Sequence, residues 1–248
     1  MDSSLNSQEL IELCQAAKST EDIYSICSIA STQFGFEQFM YGSRIPTSFV
    51  SPQLILISGY REDWWDHYTK QEYMKIDPIV NHGANNIVPF RWHELNPPTR
   101  DNKCAQQLMN ESKEFGFNSG ISFPVHTPRG ETAMLSFSTS ETPQIAQSHM
   151  LEAEPHLLML AYHIHDASMR IFRNSATIEP AITLTPREKE CLLWAAEGKT
   201  SDETALILHI SESTVRFHLS NAANKLNVRT RRHAIARAIS LGLIAPVA

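Results

Sequence analysis

Residues 209–228 read HISESTVRFHLSNAANKLNV, and their pattern decides how the C-terminal part of the chain folds. Placed on a helix from about Glu212, the residues Val215, Leu219, Ala222 and Leu226 recur at i, i+4, i+7 and i+11, one narrow apolar stripe. Opposite lie Ser213, Arg216, Phe217, Ser220 and Asn224, flanked by Thr214, His218, Asn221 and Lys225. A polar face of this kind is most often only solvated. Phe217 argues otherwise, because an aromatic ring opposite the core stripe needs a partner.

The neighbouring sequence supplies the frame. LTPREKECLLWAAEGKTSDETALILHIS, ending at Ser211, holds two helix starts. Thr185, Pro186 and Glu188 give a cap, a first-turn proline and a reciprocal carboxylate, and Thr200 with Glu203 repeats the capping box. Gly198 falls just past the first helix, where a left-handed residue can end it. Thr230 starts a closing helix, RRHAIARAISLGL, stopped by Gly242. The order predicts an all-α, four-helix helix-turn-helix domain.

Charge says what that domain meets. The whole chain carries a net charge of −6, yet from residue 181 onward nine Lys/Arg face six Asp/Glu. From His209 to the end the count is six basic to one acidic. Cations gathered on one element attract phosphates by counterion release, while the acidic remainder would repel DNA. The C-terminal piece is therefore expected to touch DNA and the rest to do something else.

The run from Leu184 to Val228 closely resembles the DNA-binding domain of the LuxR family, a motif of about 60 residues in all. The resemblance implies that Arg216, Phe217 and Ser220 meet base edges. It places Thr214, His218, Asn221 and Lys225 toward the DNA backbone. Thr204 stands where the family usually has an apolar residue, which is expected to loosen the scaffold helix. Two such modules reading an inverted-repeat promoter site imply a homodimer.

With 248 residues and 42% hydrophobic side chains, the chain can bury one sizeable core and a small helical one. The polar, Pro-containing stretch NSATIEPAITLTP from Asn174 reads as a linker. The expected division is residues 1–173, a linker over 174–184, and the helix-turn-helix domain over 185–248. No run approaches 18 apolar residues and the start shows no basic-then-apolar leader, so a soluble, cytoplasmic protein without a membrane partner is expected. Cys14, Cys27, Cys104 and Cys191 are scattered without a C-x-x-C, the usage of reduced thiols and not of a metal site.

The first 173 residues read as an α/β/α sandwich around a central antiparallel sheet, making the whole chain α+β. Leu10, Ile11, Leu13, Cys14 and Ala17 mark one helix. Ser19 and Asp22 cap a second, which carries Ile23, Ile26, Cys27, Ala30 and Phe34. EQFMYGSR and QLILIS read as strands, and SGISFPV with TAMLSFS as a hairpin joined through HTPRGE. Long helices follow Pro143, with a break expected near Pro155.

The informative N-terminal stretch is YREDWWDHYTKQEYMKIDPIVNHGANNIVPFRW, residues 60–92, with three tryptophans and three tyrosines. Aromatics at this density often only fill a core. Asp77 is harder to dismiss, since a carboxylate between Ile76 and Pro78-Ile79-Val80 is costly unless partnered. Two readings stand: it caps a helix beginning at Pro78, or it accepts a hydrogen bond from a ligand N–H.

Tyr60, Trp64, Tyr68, Asp77, Pro78, Trp92 and Gly120 match the pattern of LuxR autoinducer-binding domains. That resemblance implies an N-acyl-homoserine lactone ligand and no other cofactor. It implies that Trp64 donates to the lactone carbonyl and Asp77 accepts the amide N–H. Tyr60 and Ser136 would bind the acyl carbonyl, Trp92 would pack on the lactone ring, and Tyr68 would line the pocket. Trp65 and Ile79 depart from residues that some relatives carry, which bears on the choice of acyl chain.

Enzymatic readings find little support. GFNSG is not G-x-S-x-G, and His163 and His165 at i, i+2 on a helix point to different faces. No H-E-x-x-H or Gly-rich phosphate loop is present. A regulator of the same type answering a different small molecule is the alternative.

Overall fold

A computed structural model describes residues 6–46, 51–95, 102–128, 130–175 and 182–245. The chain divides into two compact units, one built from most of the first 175 residues and one containing the residues from 176. Most of the expected linker lies outside the described residues.

The N-terminal unit begins with α1 (Ser7–Ala16) and α2 (Thr20–Gln33). Each opens on a complete capping box, Asn6 with Glu9 and Ser19 with Asp22. Five strands follow: β1 (Gln38–Ile45), β2 (Gln53–Ser58), β3 (Phe90–Arg91), β4 (Ser119–His126) and β5 (Thr132–Thr139). Their order in the sheet is β2-β1-β5-β4-β3, and β1–β5, β5–β4 and β4–β3 are antiparallel. The hairpin joins β4 and β5 with Ser122 opposite Ser136. The two-residue strand β3 has no periodicity to announce it and is an addition to the expected set.

Strand alternation sorts the sheet into two faces. Phe39, Tyr41, Ile121, Phe123, Leu135 and Phe137 pack into one core with residues of α1, α2 and α6 (Pro143–Asn174), among them Ile23, Met150, Leu157 and Ile164. The opposite face, carrying Ser122, Met134 and Ser136, looks toward α3 (Glu62–Lys70), α4 (Pro78–Asn85) and α5 (Lys103–Glu114). This is the expected α/β/α sandwich.

The break expected near Pro155 is corrected by the structure, where α6 is one helix of 32 residues. Pro155 cannot donate to the carbonyl four residues back. It stands exposed, as does Leu151 four residues back, while Ala153 and Leu157 are buried on either side of the proline and hold the helix to the sheet.

The second unit contains α7 (Pro186–Ala196), α8 (Ser201–Leu208), α9 (Glu212–Lys225) and α10 (Arg231–Ser240). Thr185 with Glu188 and Thr200 with Glu203 form the two capping boxes, and Ser211 and Thr230 cap α9 and α10. Gly198 takes the left-handed conformation at φ 84° that stops α7. His209 does the same after α8 at φ 54°, a turn device that sequence alone did not mark. Val215, Leu219, Ala222 and Leu226 are all buried against Cys191, Leu192 and Ala234. Thr204 does not loosen the scaffold: it is fully buried, and its hydroxyl donates to the Thr200 carbonyl at 2.7 Å.

Candidate functional site

Trp64 and Tyr68 lie four residues apart on α3 and share its buried face. With Tyr73, Phe90, Trp92, Leu108 and Phe117 they form a second apolar cluster, against which Tyr60, Trp65, Ile79 and Met134 pack. Trp64 touches Phe117 at 5.4 Å and Tyr68 at 5.9 Å between ring centroids. Tyr60 meets Phe117 edge-on at 4.7 Å, and Trp65 stacks on Tyr68 at 5.8 Å. Phe117 escaped the sequence reading because it lies outside the aromatic stretch, reaching it only through the fold.

Asp77 is buried beside this cluster, and the capping reading of it is observed. Its Oδ1 accepts the Ile79 amide at 2.8 Å, capping α4, with Pro78 at the first helical position. Its Oδ2 accepts the Tyr68 hydroxyl at 2.9 Å. Each carboxylate oxygen has two lone-pair directions, so the cap and the tyrosine leave acceptor capacity over. Burial pushes the Asp77 carboxyl above the usual range, against the hydrogen bonds from Tyr68, Ile79 and Val80. Burial and then the charge of Asp77 push the phenols of Tyr60 and Tyr68 upward, which keeps both as donors. Among the described residues, the Trp64 indole N–H and the Tyr60 hydroxyl have no hydrogen-bond partner.

Trp92 follows the edge strand β3 and lies over Gly120. A Cβ at that glycine would sit 2.5 Å from the indole, so only glycine admits this ring. The Trp92 N–H donates to Ser122 Oγ at 2.9 Å, and Ser122 Oγ is 2.8 Å from Ser136 Oγ. Ser122 was not foreseen, because only the strand register brings it beside Ser136. Arg91, preceding Trp92, bonds Glu94 at 2.9 Å and reaches Glu154 on α6. It anchors the strand that carries Trp92.

Glu111 on α5 closes the side of the cluster. It accepts from Tyr73 and His67 at 2.7 Å each and from Gln107 at 2.6 Å. The Tyr73, Gln107 and His67 hydrogen bonds hold its carboxyl down at about 2. Sequence spacing gives no hint of this tie between α3, the turn at Tyr73–Lys75 and α5. Among the described residues, no group of three or more His, Cys, Asp or Glu could hold a metal ion. No helix among them is long and apolar enough to cross a membrane.

On the second unit, α9 presents the expected outer face. The Arg216 side chain is 71% exposed and Phe217 61%. Ser220 is exposed, while Thr214, His218 and Asn221 are half-buried. Arg216 pairs with Glu212 at 2.7 Å on the same helix, a surface pair of small net worth. Lys225 stands apart from this group. Its Nζ donates to the buried Glu188 at 2.8 Å, clamping the end of α9 to the start of α7. Burial raises the Glu188 carboxyl, but Lys225 and the Thr185 amide outweigh that and hold it below the usual range.

Comparison with known proteins agrees with both regions. The profile described as "Autoinducer binding domain" matches residues 19–168, and "Bacterial regulatory proteins, luxR family" matches residues 182–238. The chain is 36% identical to the transcriptional activator protein AhyR of Aeromonas hydrophila over 214 residues, 86% of this chain and 82% of that one. It is 34% identical to the transcriptional activator protein LuxR of Aliivibrio fischeri over 235 residues, 95% of this chain and 93% of that one. Escherichia coli SdiA superposes with a TM-score of 0.74 at 27% identity, over 97% of this chain and 98% of the SdiA chain. SdiA in complex with octanoyl-rac-glycerol superposes with a TM-score of 0.73, over 96% and 94%.

Proposed function

Since the chain belongs to the LuxR family of bacterial regulatory proteins, we propose that its autoinducer is an N-acyl-homoserine lactone and that it binds DNA as a homodimer at an inverted-repeat promoter site. It is an autoinducer-binding transcriptional regulator and not an enzyme. We assign ligand binding to residues 1–173 and DNA binding to residues 185–248, joined by 174–184, in a cytoplasmic protein.

The observation that carries the reading is the polarity of the aromatic box. Three donors, on Tyr60, Trp64 and Ser136, share an apolar setting with one carboxylate, Asp77. An acyl-homoserine lactone is the complement, with two carbonyl acceptors, one amide N–H and an apolar tail. Trp64 serves the lactone carbonyl, Tyr60 and Ser136 the acyl carbonyl, and Asp77 the amide N–H. Trp92 packs on the lactone ring and Tyr68 lines the box while orienting Asp77. On the DNA side, Arg216, Phe217 and Ser220 read bases, and Thr214, His218 and Asn221 meet phosphates. Lys225 is kept in that set as a weak contact, because Glu188 already neutralises it. Leu151, Met159 and Tyr162, apolar and exposed on α6, support a surface for the second copy.

A second reading has its own support, since a similar protein, SdiA, has been solved in complex with octanoyl-rac-glycerol. An acyl glycerol brings hydroxyls in place of an amide N–H. Thermal shifts across lactones and acyl glycerols of equal chain length decide between them. A lactone ligand should stabilise the chain by about 2.7 kcal/mol at a hundredfold excess over Kd, and Trp64→Phe should shrink that shift. Larger shifts with the glycerols would move the assignment to the second reading.

A further inference from the structure

We infer that Ser122 is a positioning residue of the ligand site: it accepts a hydrogen bond from the Trp92 N–H, donates its own hydroxyl to Ser136, and so leaves the Ser136 hydroxyl as a donor for a ligand carbonyl. The inference rests on the lactone reading for the carbonyl and for the direction of the last hydrogen bond, while the Trp92–Ser122–Ser136 contacts are a property of the ligand-free chain.

Three protons share two hydrogen bonds in this chain. The Trp92 indole can only donate, and it does so to Ser122 Oγ at 2.9 Å. Ser122 Oγ and Ser136 Oγ are 2.8 Å apart, a distance that fits either direction. If Ser136 donated, Ser122 would accept twice and its own proton would be left without a partner. Ser122 is fully buried, and among the described residues it has no other acceptor. An unmade hydrogen bond in such a place is costly. Donation by Ser122 leaves the spare proton on Ser136 instead, which is buried too; under the lactone reading a ligand carbonyl takes that proton there, so we place the donor at Ser122 and the free proton at Ser136.

Geometry fixes both ends of the relay. Ser122 and Ser136 are paired across the β4–β5 hairpin, so backbone hydrogen bonding holds their separation. Trp92 is held over Gly120, where any side chain would collide with it. Polarisation along the chain strengthens the terminal donor. Without Ser122, the Ser136 hydroxyl has no partner to set its rotation.

Two measurements on the full chain test this. In the ligand-free protein, the indole N–H resonance of Trp92, assigned by Trp92→Phe, should move in Ser122→Ala and move less in Ser136→Ala. An unmoved resonance in Ser122→Ala overturns the relay whatever the ligand. Calorimetry then compares an N-acyl-homoserine lactone with its thioamide counterpart, whose sulfur is a weaker acceptor. Ser122→Ala should lower the amide-to-thioamide affinity ratio by about three- to tenfold, the worth of one neutral hydrogen bond. Ser136→Ala should lower it at least as far, and Ser122→Thr should restore it. A ratio in Ser122→Ala equal to wild type contradicts the role assigned to Ser122. If wild type binds neither compound, the lactone reading fails, and the resonance measurement still decides whether the relay exists.

Discussion

In the N-terminal unit the polar groups that we assign to a ligand are buried: Asp77, Ser136 and the Trp64 indole lie beside an aromatic cluster. In the C-terminal unit they stand in solvent, with Arg216 and Phe217 among the most open side chains of α9. The difference follows from the partners. A small neutral amphiphile gains little from an exposed hydrogen bond, so its recognition needs desolvated groups held in advance. DNA brings its own dense charge, and an exposed cation finds it without a prebuilt cavity. Where a charged group is buried in the C-terminal unit, as Glu188 is, it serves the scaffold instead, held by Lys225.

The largest effect should separate the two faces of α9. Leu226→Ala removes a fully buried side chain and should cost about 2–5 kcal/mol of stability, measured by urea unfolding followed at Trp194. Phe217→Ala, on the exposed face, should leave that unfolding within about 0.5 kcal/mol and weaken DNA binding instead. A stability loss at Phe217 matching that at Leu226 would show that the outer face is a packing face.

The next contrast sets the two cations of α9 against each other. Arg216→Ala should cost about 1–3 kcal/mol in DNA affinity and relax base choice, read by anisotropy titration at fixed salt. Lys225→Ala should act mainly on folding, because it strands the buried Glu188. The loss should be about 1–3 kcal/mol, below that of a fully buried pair since Lys225 is 40% exposed. If Lys225→Ala lowered affinity for all sequences without touching stability, Lys225 would be a phosphate contact after all.

The acid behaviour of the N-terminal unit carries two opposite signs. Asp77 is raised, so its ionisation opposes folding: that contribution to stability is present below the unfolded value and lost as pH rises through the folded one. Glu111 is lowered from 4.5 to about 2, so its contribution is present above 4.5 and lost as pH falls toward 2. Thermal unfolding against pH should therefore lose acid sensitivity below pH 4.5 in Glu111→Gln. Asp77→Asn should remove the opposing gain. On the proposed role of Asp77, ligand affinity should fall on acidification before an ordinary aspartate would protonate. Identical profiles for wild type and Glu111→Gln would remove Glu111 from this account.

The smallest effect is at Thr204, whose hydroxyl is satisfied within its own helix. Thr204→Val keeps the shape and should change stability by less than about 0.5 kcal/mol in unfolding. A loss well above that would mean the hydroxyl holds more than its own turn.

The same contrast explains what could be read from the sequence. The C-terminal unit is built from local contacts, so caps, stripe and outer face were legible at Thr185, Thr200, Val215 and Arg216. The second partner of Lys225, Glu188, was not legible because it lies 37 residues away. In the N-terminal unit, Trp64 and Tyr68 share a helix face and Asp77 precedes a proline, signals that survive without a fold. Ser122, Phe117 and Glu111 reach the site only through strand register and helix packing, which leave no periodicity to detect. The two-residue strand β3 is too short to alternate. Pro155 was read by its local cost, and burial of its neighbours overrode that cost.

The central claim is that one buried carboxylate both caps α4 and accepts the ligand amide. Calorimetric titration of Asp77→Asn with an N-acyl-homoserine lactone tests it most directly. The amide oxygen of asparagine can still cap the helix, so the ligand-free variant should stay folded, with its unfolding temperature at or above that of wild type. Its lactone affinity should fall about ten- to hundredfold, the worth of a hydrogen bond to a charged acceptor. Lactone binding equal to wild type in the folded variant would contradict the claim.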